Sequence, residues 1–519
     1  MGVNWRFLPL ERIWVAKKQV KKNIEKIVSA VDTTDINNGL KHSGQSNGQT
    51  GLPEGGSLAS ETAHPLQMSE SAAAKMARFF TALQEAAEGK KIGIFHYGDS
   101  QIEGDRMTGY IRQRIQQQFG GIGPGFIPAY NVYNTQSFKQ KVSPNFKRFT
   151  AFWPPKMSSR RYGALLSAAT FDVAATDAQA GLPTEAWIEI APSAAAFTRA
   201  RTFSHVKCYY NSCYKSCSVK VYENDKLIHE DSLLADGGAH VLPLSFDHTP
   251  SKLRFVFSST KSPIFTGFSL EGDVGVQVSN VAMRGSSGHD LSSSEASLFA
   301  QMHREANTKL IILQFGGNSV HSFRDSSSVR YYMSSLKNRI QYIQKLVPDA
   351  AIILIGPSDM SRLNAGVFET YPLLPYTVDR MQKMCADNGV AFWNLYGAMG
   401  GQNSMPAWVS QGLAGKDYVH FSPRGASIAS QYFYEAFGAA YTDWQAKKGG
   451  QELCACCCCV AYRYLLLDNI QRSARMIHSA PLSKKLPKII LLSRYNATNF
   501  NFLAPKAPIG YTSTSRLPK

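Results

Sequence analysis

The chain has no uninterrupted apolar run of roughly 18 residues, so a membrane-spanning helix is not expected. Its N-terminal segment is basic, but Arg12, Lys17, Lys18, Lys21 and Lys22 break up the apolar residues, and no secretory signal peptide is recognisable. Arg6 stands where N-myristoylation after Met1-Gly2 would want Ser or Thr, which argues against that anchor. Repeated Cys-x-x-Cys pairs with His partners are missing, so the sequence makes no case for zinc. The nine cysteines fall instead as Cys208, Cys213 and Cys217, a single Cys385, and a run at Cys454 and Cys456 to Cys459. The trio reads equally as one disulfide in an oxidising compartment or as free thiols on or between strands. The run is a candidate palmitoylation site.

Acidic residues are few: 38 Asp and Glu stand against 56 Lys and Arg, a net charge of +18. Residues 1–30 carry +5 of this and residues 446–519 carry +10, leaving +3 for everything between. The body is therefore near neutral. Basic ends of this kind can bind phosphate-rich polymers or anionic lipid, or can simply be solvated extensions. No recognised nucleic-acid module accompanies them, so specific nucleic-acid binding is not expected.

What is present is material for a large core. The 519 residues are 44% hydrophobic and 18% charged, as in folded globular chains. Residues 5–30 could form a basic amphipathic helix, and 33–70 are a Gly, Ser, Asn and Thr-rich linker. Met76, Phe79, Phe80 and Leu83 give 71–88 the spacing of a helix with one buried face. Residues 91–98 form a short apolar run expected to be a buried strand, and a helical pattern follows from about Ile102 to Gln118. Residues 140–280 change to alternating patterns such as 218–223 and 252–257, punctuated by turn signals at 223–225 and 236–238. That is the pattern of an all-β module of sandwich type. Beyond 285, strands over 309–315, 350–355 and 390–395 alternate with helices over 327–346, 376–388 and 423–441. Apolar strands alternating with helices predict a parallel sheet covered on both faces. The expected organisation is a basic segment and linker (1–70), an α/β domain in two parts (71–139 and 281–445) split by a β-sandwich insertion (140–280), and a basic, Cys-containing tail (446–519) expected to be disordered.

Four segments carry chemistry. Gly98-Asp99-Ser100 ends the first strand, which puts the Ser100 hydroxyl at the carboxyl edge of the sheet, where open α/β folds bind ligands. Gly285 can let backbone approach a ligand and offer an N–H. Gly316-Gly317-Asn318 follows a strong strand and brings an amide side chain to the same edge, able to donate to a developing oxyanion. Asp417 precedes His420 by three residues, close enough to hold its imidazole in one tautomer. Ser422 and Pro423 read as the N-cap and first residue of the last helix, which leaves His420 in the loop before it. Taken singly, each has a plainer reading: an N-cap serine, a turn glycine, a loop-capping asparagine, a structural histidine.

Their order along the chain gives them weight. The blocks at 98–100, 285, 316–318 and 417–420 resemble, in sequence and position, those of the SGNH (GDSL-like) hydrolase superfamily. The resemblance spans roughly 90–140 and 280–445, with the β module inserted. It implies a flavodoxin-like three-layer α/β fold and a serine esterase needing no cofactor or metal. Carried over, Ser100 resembles the nucleophile and first oxyanion donor, Gly285 and Asn318 the second and third donors, His420 the general base and Asp417 its orienting partner. Ser319 departs from the pattern, since many relatives have Asp after the Asn. The run from His96 to Arg106, with the insertion, is similar to bacterial peptidoglycan O-acetylesterases and related carbohydrate esterases, in which the inserted module resembles a carbohydrate-binding domain. That likeness implies an acylated carbohydrate or peptidoglycan as substrate and a place in the periplasm or cell envelope, although no export signal is visible here. Two other readings stay open: an O-acyltransferase with the same triad, and a catalytically idle glycan-binding protein. The intact set of Ser100, Asn318, Asp417 and His420 stands against the idle one. The sequence carries no signal for the acyl group or the oligomeric state.

Overall fold

The structure is a computed structural model that describes residues 64–449. The basic helix expected over 5–30, most of the linker, and the cysteine-bearing part of the tail lie outside the described residues.

A parallel sheet of five strands forms the centre, in the order Gly275–Ala282, Lys91–Gly98, Thr308–Gln314, Ala351–Ile355, Ala391–Trp393. In chain order this is 2-1-3-4-5, the flavodoxin-like arrangement, whose switch point lies between the first and third strands. The strands are apolar on both faces because both are covered. Ile92 and Ile94, Leu310 and Ile312, and Ile353 and Ile355 point into one core with the helices Glu70–Ala87 and Thr108–Phe119 and the helix over 423–449. The alternate residues, Phe95 and Tyr97, Ile311 and Leu313, and Ile352 and Leu354, point into a second core. There they meet the helices Ala296–Glu305, Ser326–Leu346 and Leu374–Asp387. Met76, Phe79, Phe80 and Leu83 are all buried, as their spacing predicts.

The insertion contains two antiparallel sheets, one of six strands and one of five, with no closed barrel. Its outermost hairpin shows why the alternation was readable. Cys217–Glu223 pairs with Lys226–Leu233 through Asn224 and Asp225, both at positive φ, the turn that matches strand twist. Two segments sit differently from the sequence reading. Gly275–Ala282, placed there at the end of the 140–280 module, pairs in parallel with Lys91–Gly98 and is a strand of the hydrolase sheet. Gly125–Ile127, ahead of residue 140, pairs with Ile264–Glu271 of the insertion. Both are β-rich in composition, and only pairing partners distinguish the two sheets. The insertion is not a loosely tethered bead, since Phe126, Tyr162, Leu165 and Tyr209 share the second core with Phe95, Tyr97 and Phe299. Cys208, Cys213, Cys217 and Cys385 are buried free thiols, which resolves the trio in favour of that alternative.

Candidate active site

The Lys91–Gly98 strand delivers Asp99 and Ser100 to the carboxyl edge of the sheet, beside the switch point. The helix read from Ile102 does not start there. A 3-10 turn, Glu103–Asp105, comes first, Gly104 and Asp105 adopt positive φ, and the α-helix begins at Thr108. This detour places a band of polar side chains around Ser100. Asp105 turns inward to pair with buried Arg112 at 2.5 Å. The Arg112 Nε donates to the Val278 carbonyl at 2.6 Å, clamping the detour to the neighbouring strand.

Ser100 and His420, 320 positions apart, are joined by a hydrogen bond of 2.8 Å between Oγ and Nε2. On its far side the imidazole Nδ1 lies 2.7 Å from Asp417 Oδ2. The other Asp417 oxygen accepts the amides of Val419 at 3.0 Å and His420 at 3.1 Å. Partial burial works against the Asp417 charge. The imidazole and the two amides outweigh it and hold the carboxyl below its ordinary value. An ionised Asp417 accepts from Nδ1–H, which leaves Nε2 as the acceptor for the Ser100 hydroxyl. Ser422 caps the following helix through the Gly425 amide at 3.2 Å, so the loop carrying His420 is fixed at its far end.

Asn318 reaches the same edge in a turn entered through Gly316, at φ 124. A Cβ there would meet Met381 Cε at 2.8 Å, so both conformation and space call for glycine. The Asn318 amide donates to Asp99 Oδ2 at 3.1 Å and to the Ser286 carbonyl at 3.0 Å. Asp99 is itself buried, and its second oxygen accepts the Gln101 amide at 2.9 Å. Burial pushes the Asp99 carboxyl up to about 6 against the pull of that amide, His420 and Arg106. Gly285, at φ 79, is exposed and has nothing within 4 Å of where a Cβ would sit. The structure thus brings Ser100, His420 and Asp417 into one chain of hydrogen bonds. Asn318 lies beside them through Asp99, and Gly285 lines a neighbouring groove.

Two residues that support the site were not singled out in the sequence. The buried Gln101 side chain donates to the Val419 carbonyl at 2.7 Å and accepts the Phe421 amide at 3.3 Å, gripping the backbone on either side of His420. Arg106 donates to the carbonyl of Ser100 and to that of Phe421, the latter at 3.3 Å. Together they tie the serine loop to the histidine loop. The signal available was the density of polar residues after Ser100, in a stretch that a plain helix would not need.

A hollow of about 230 Å³ opens at the triad, bordered by Asn318, His321, Pro357, Met360, Tyr371 and His420. Among the described residues no group of three or more His, Cys, Asp or Glu is placed to hold a metal ion, and no helix is long and apolar enough to cross a membrane.

Comparisons with known proteins bear on the fold. The family described as GDSL-like Lipase/Acylhydrolase matches residues 253–433. A solved peptidoglycan O-acetylesterase is similar over 73% of this chain and 99% of its own, at 19% identity and a TM-score of 0.57. A family two carbohydrate esterase from Clostridium thermocellum aligns over 51% of this chain and 94% of its own, at 11% identity and a TM-score of 0.23. No curated protein matches the sequence. With its strand order, its serine at the switch point and this match over residues 253–433, the chain has the fold of the SGNH hydrolases and is similar to the GDSL-like lipase/acylhydrolases.

Proposed function

We propose that the chain is a serine esterase that removes acyl groups, acetyl foremost, from a carbohydrate such as O-acetylated peptidoglycan, through an acyl-enzyme on Ser100. The observation that carries this reading is the hydrogen-bonded series Ser100, His420, Asp417 at 2.8 and 2.7 Å on the carboxyl edge of the sheet. In the first half-reaction the Ser100 oxygen attacks the ester carbonyl carbon while its proton passes to His420 Nε2. The tetrahedral intermediate collapses as the imidazolium returns that proton to the departing sugar oxygen. Water then attacks the acyl-enzyme, again giving its proton to Nε2, and the Ser100 oxygen leaves with that proton as the carboxylic acid is released. Asp417 stays ionised throughout and stabilises the imidazolium.

For the oxyanion, the donors are the N–H groups of Ser100 and Gly285 and the side-chain amide of Asn318. Both Asn318 N–H groups are engaged, with Asp99 and with Ser286, so an oxyanion would take one of them in exchange. Loss of one such donor typically costs about a hundredfold or more in turnover. The peptidoglycan O-acetylesterase likeness supports the carbohydrate ester as substrate class through its fold, and the insertion beside the site supplies the surface for a polymer.

The test is hydrolysis of a chromogenic acetyl ester by the full chain beside Ser100→Ala. The expected result is a fall of about a thousandfold or more in kcat for the variant, in line with loss of a triad nucleophile. Equal rates in the two proteins would refute the role of Ser100. O-acetylated peptidoglycan and a neutral acetylated glycan would then rank the substrates.

A further inference from the structure

The loop that carries Asp417 and His420 is not held by burial, since the two side chains are 51% and 40% exposed. Its internal bonds run from the Gly415 amide to the His420 carbonyl at 2.8 Å and from the Tyr418 amide to the Gly415 carbonyl at 3.0 Å. They set the shape of the loop and not its place. Tyr418, between the two catalytic residues, sits at φ 59. A residue with a side chain adopts that conformation at a cost and keeps it only where its surroundings hold it there.

Those surroundings are a β-hairpin to which the reaction above gives no task. Ser361–Asn364 pairs with Val367–Thr370 through Ala365 and Gly366, at φ 47 and 80. The Phe368 ring lies flat against the Tyr418 ring, with centroids 3.5 Å and planes 10° apart. The Ser361 amide donates to the Tyr418 carbonyl at 3.0 Å, so the hairpin holds this one residue by ring and by backbone. The hairpin is itself rooted. Asp359, fully buried, accepts the Thr370 hydroxyl at 2.8 Å on one oxygen and the Met405 amide at 2.7 Å on the other. Asn403 accepts the Thr370 amide at 2.9 Å and donates its own amide to the Thr370 hydroxyl at 2.7 Å. At the base of the hairpin the Tyr371 amide donates to the Met360 carbonyl at 3.2 Å, and both residues border the hollow at Ser100. A strand pair anchored in this way offers the histidine loop a fixed wall.

Resting on the esterase reading above, we propose that Phe368 is a positioning residue for the reaction: by stacking on Tyr418 it keeps Asp417 and His420 in line with Ser100. The contacts are continuous from the Phe368 ring through the Tyr418 ring and backbone to Asp417 and His420 on either side. Without the Phe368 ring, Tyr418 is free to leave φ 59. The turn in which Asp417 receives the Val419 and His420 amides then loosens, and Nε2 spends less time at 2.8 Å from the Ser100 hydroxyl. Phe368 does not border the hollow, so its loss is felt in turnover and not in substrate binding.

The test compares Phe368→Ala, Phe368→Tyr and Val367→Ala with the parent, each as the full chain, on a chromogenic acetyl ester. Phe368→Ala should lose about tenfold or more in kcat with KM within about twofold, as a misplacement on the order of 1 Å allows. Phe368→Tyr keeps the ring and should return to within about twofold of the parent. Val367 lies in the same strand on the opposite face and is 52% exposed, so Val367→Ala should match the parent. Hydrogen exchange followed by mass spectrometry reads the cause: segment 415–421 should exchange about tenfold faster or more in Phe368→Ala, and at the parent rate in the other two. If Phe368→Ala does not fold, Phe368→Leu, which keeps apolar volume without a ring face, takes its place with the same expectations. An unchanged kcat, a loss carried by KM, a Phe368→Tyr as slow as Phe368→Ala, or an equally slow Val367→Ala each overturn the inference and leave the esterase reading standing. A parent inactive on every acetyl ester fails the esterase reading instead. Exchange of 415–421 then decides the stack by itself: quickening in Phe368→Ala supports it and an unchanged rate overturns it.

Discussion

Gln101→Ala isolates the tether that holds His420 against Ser100. The side chain makes two hydrogen bonds to the histidine loop, to the Val419 carbonyl at 2.7 Å and from the Phe421 amide at 3.3 Å, and a longer one to Ser358 Oγ at 3.4 Å, and it is 8% exposed. Alanine leaves both backbone groups without that partner in a place water reaches poorly. At about 1 kcal/mol net per bond, rising to about 1–3 kcal/mol for a group left unsatisfied, the fold should lose roughly 2–4 kcal/mol. The larger consequence is geometric. The substitution leaves Ser100 and Asp417 themselves unchanged and removes one of the side chains that border the hollow. The His420 loop gains freedom, and a misplacement on the order of 1 Å can cost about a hundredfold in rate. We expect kcat on a chromogenic acetyl ester to fall by about 10- to 100-fold with KM within about twofold of the parent, measured under conditions where circular dichroism shows both proteins folded. Gln101→Glu keeps an acceptor for the Phe421 amide and loses the donor to Val419, so it should fall between. A folded Gln101→Ala with kcat within twofold of the parent would refute the argument, as would a loss confined to KM.

Asp417→Asn preserves shape but no longer favours the Nδ1–H tautomer, so kcat should drop by at least about a hundredfold while thermal stability changes little at this half-exposed position. Asp99, its carboxyl raised by burial to about 6 from 3.8, binds its proton more tightly in the folded state than in the unfolded one. Its contribution is therefore complete below about pH 4 and is lost as the pH rises through about 6, an effect on the order of 2–3 kcal/mol. Urea titrations at pH 4.5 and 7 should show part of this difference in the parent and less of it in Asp99→Asn, and an unchanged difference in the variant would assign it elsewhere. Asp105→Ala strands the buried Arg112 guanidinium and should cost about 3–5 kcal/mol of stability, read from the urea midpoint. Burial raises the thiols of Cys208, Cys213, Cys217 and Cys385, so a thiol reagent at pH 8 should leave these four unmodified until the chain is denatured.

Much of the hydrolase body was legible because its strands declare themselves. A strand covered on both faces must be apolar at every position, and a helix covered on one face must repeat near 3.6, so 309–315 and 71–88 could be read without any knowledge of partners. Two of the reactive blocks, 98–100 and 316–318, were legible for a related reason: each sits where a strand ends, and a strand end is visible as the place where an apolar run stops at Gly, Asp or Ser. Ser422 and Pro423 likewise announced the last helix through local capping chemistry, and with it the loop that holds His420.

What the sequence could not decide was pairing across the chain. Gly275–Ala282 has the composition of the insertion and the partner of the hydrolase, and no local pattern distinguishes the two, since β propensity reports the kind of surface a strand fits and not its neighbour. The tether is invisible for the same reason, because Gln101 and Arg106 grip backbone carbonyls and an amide more than 300 positions away, groups that every residue possesses and that leave no trace in side-chain identity. Local periodicity and capping were written in the sequence alone. The strand order that brings Ser100 beside His420 was decided only when the tertiary structure set which surfaces cover which.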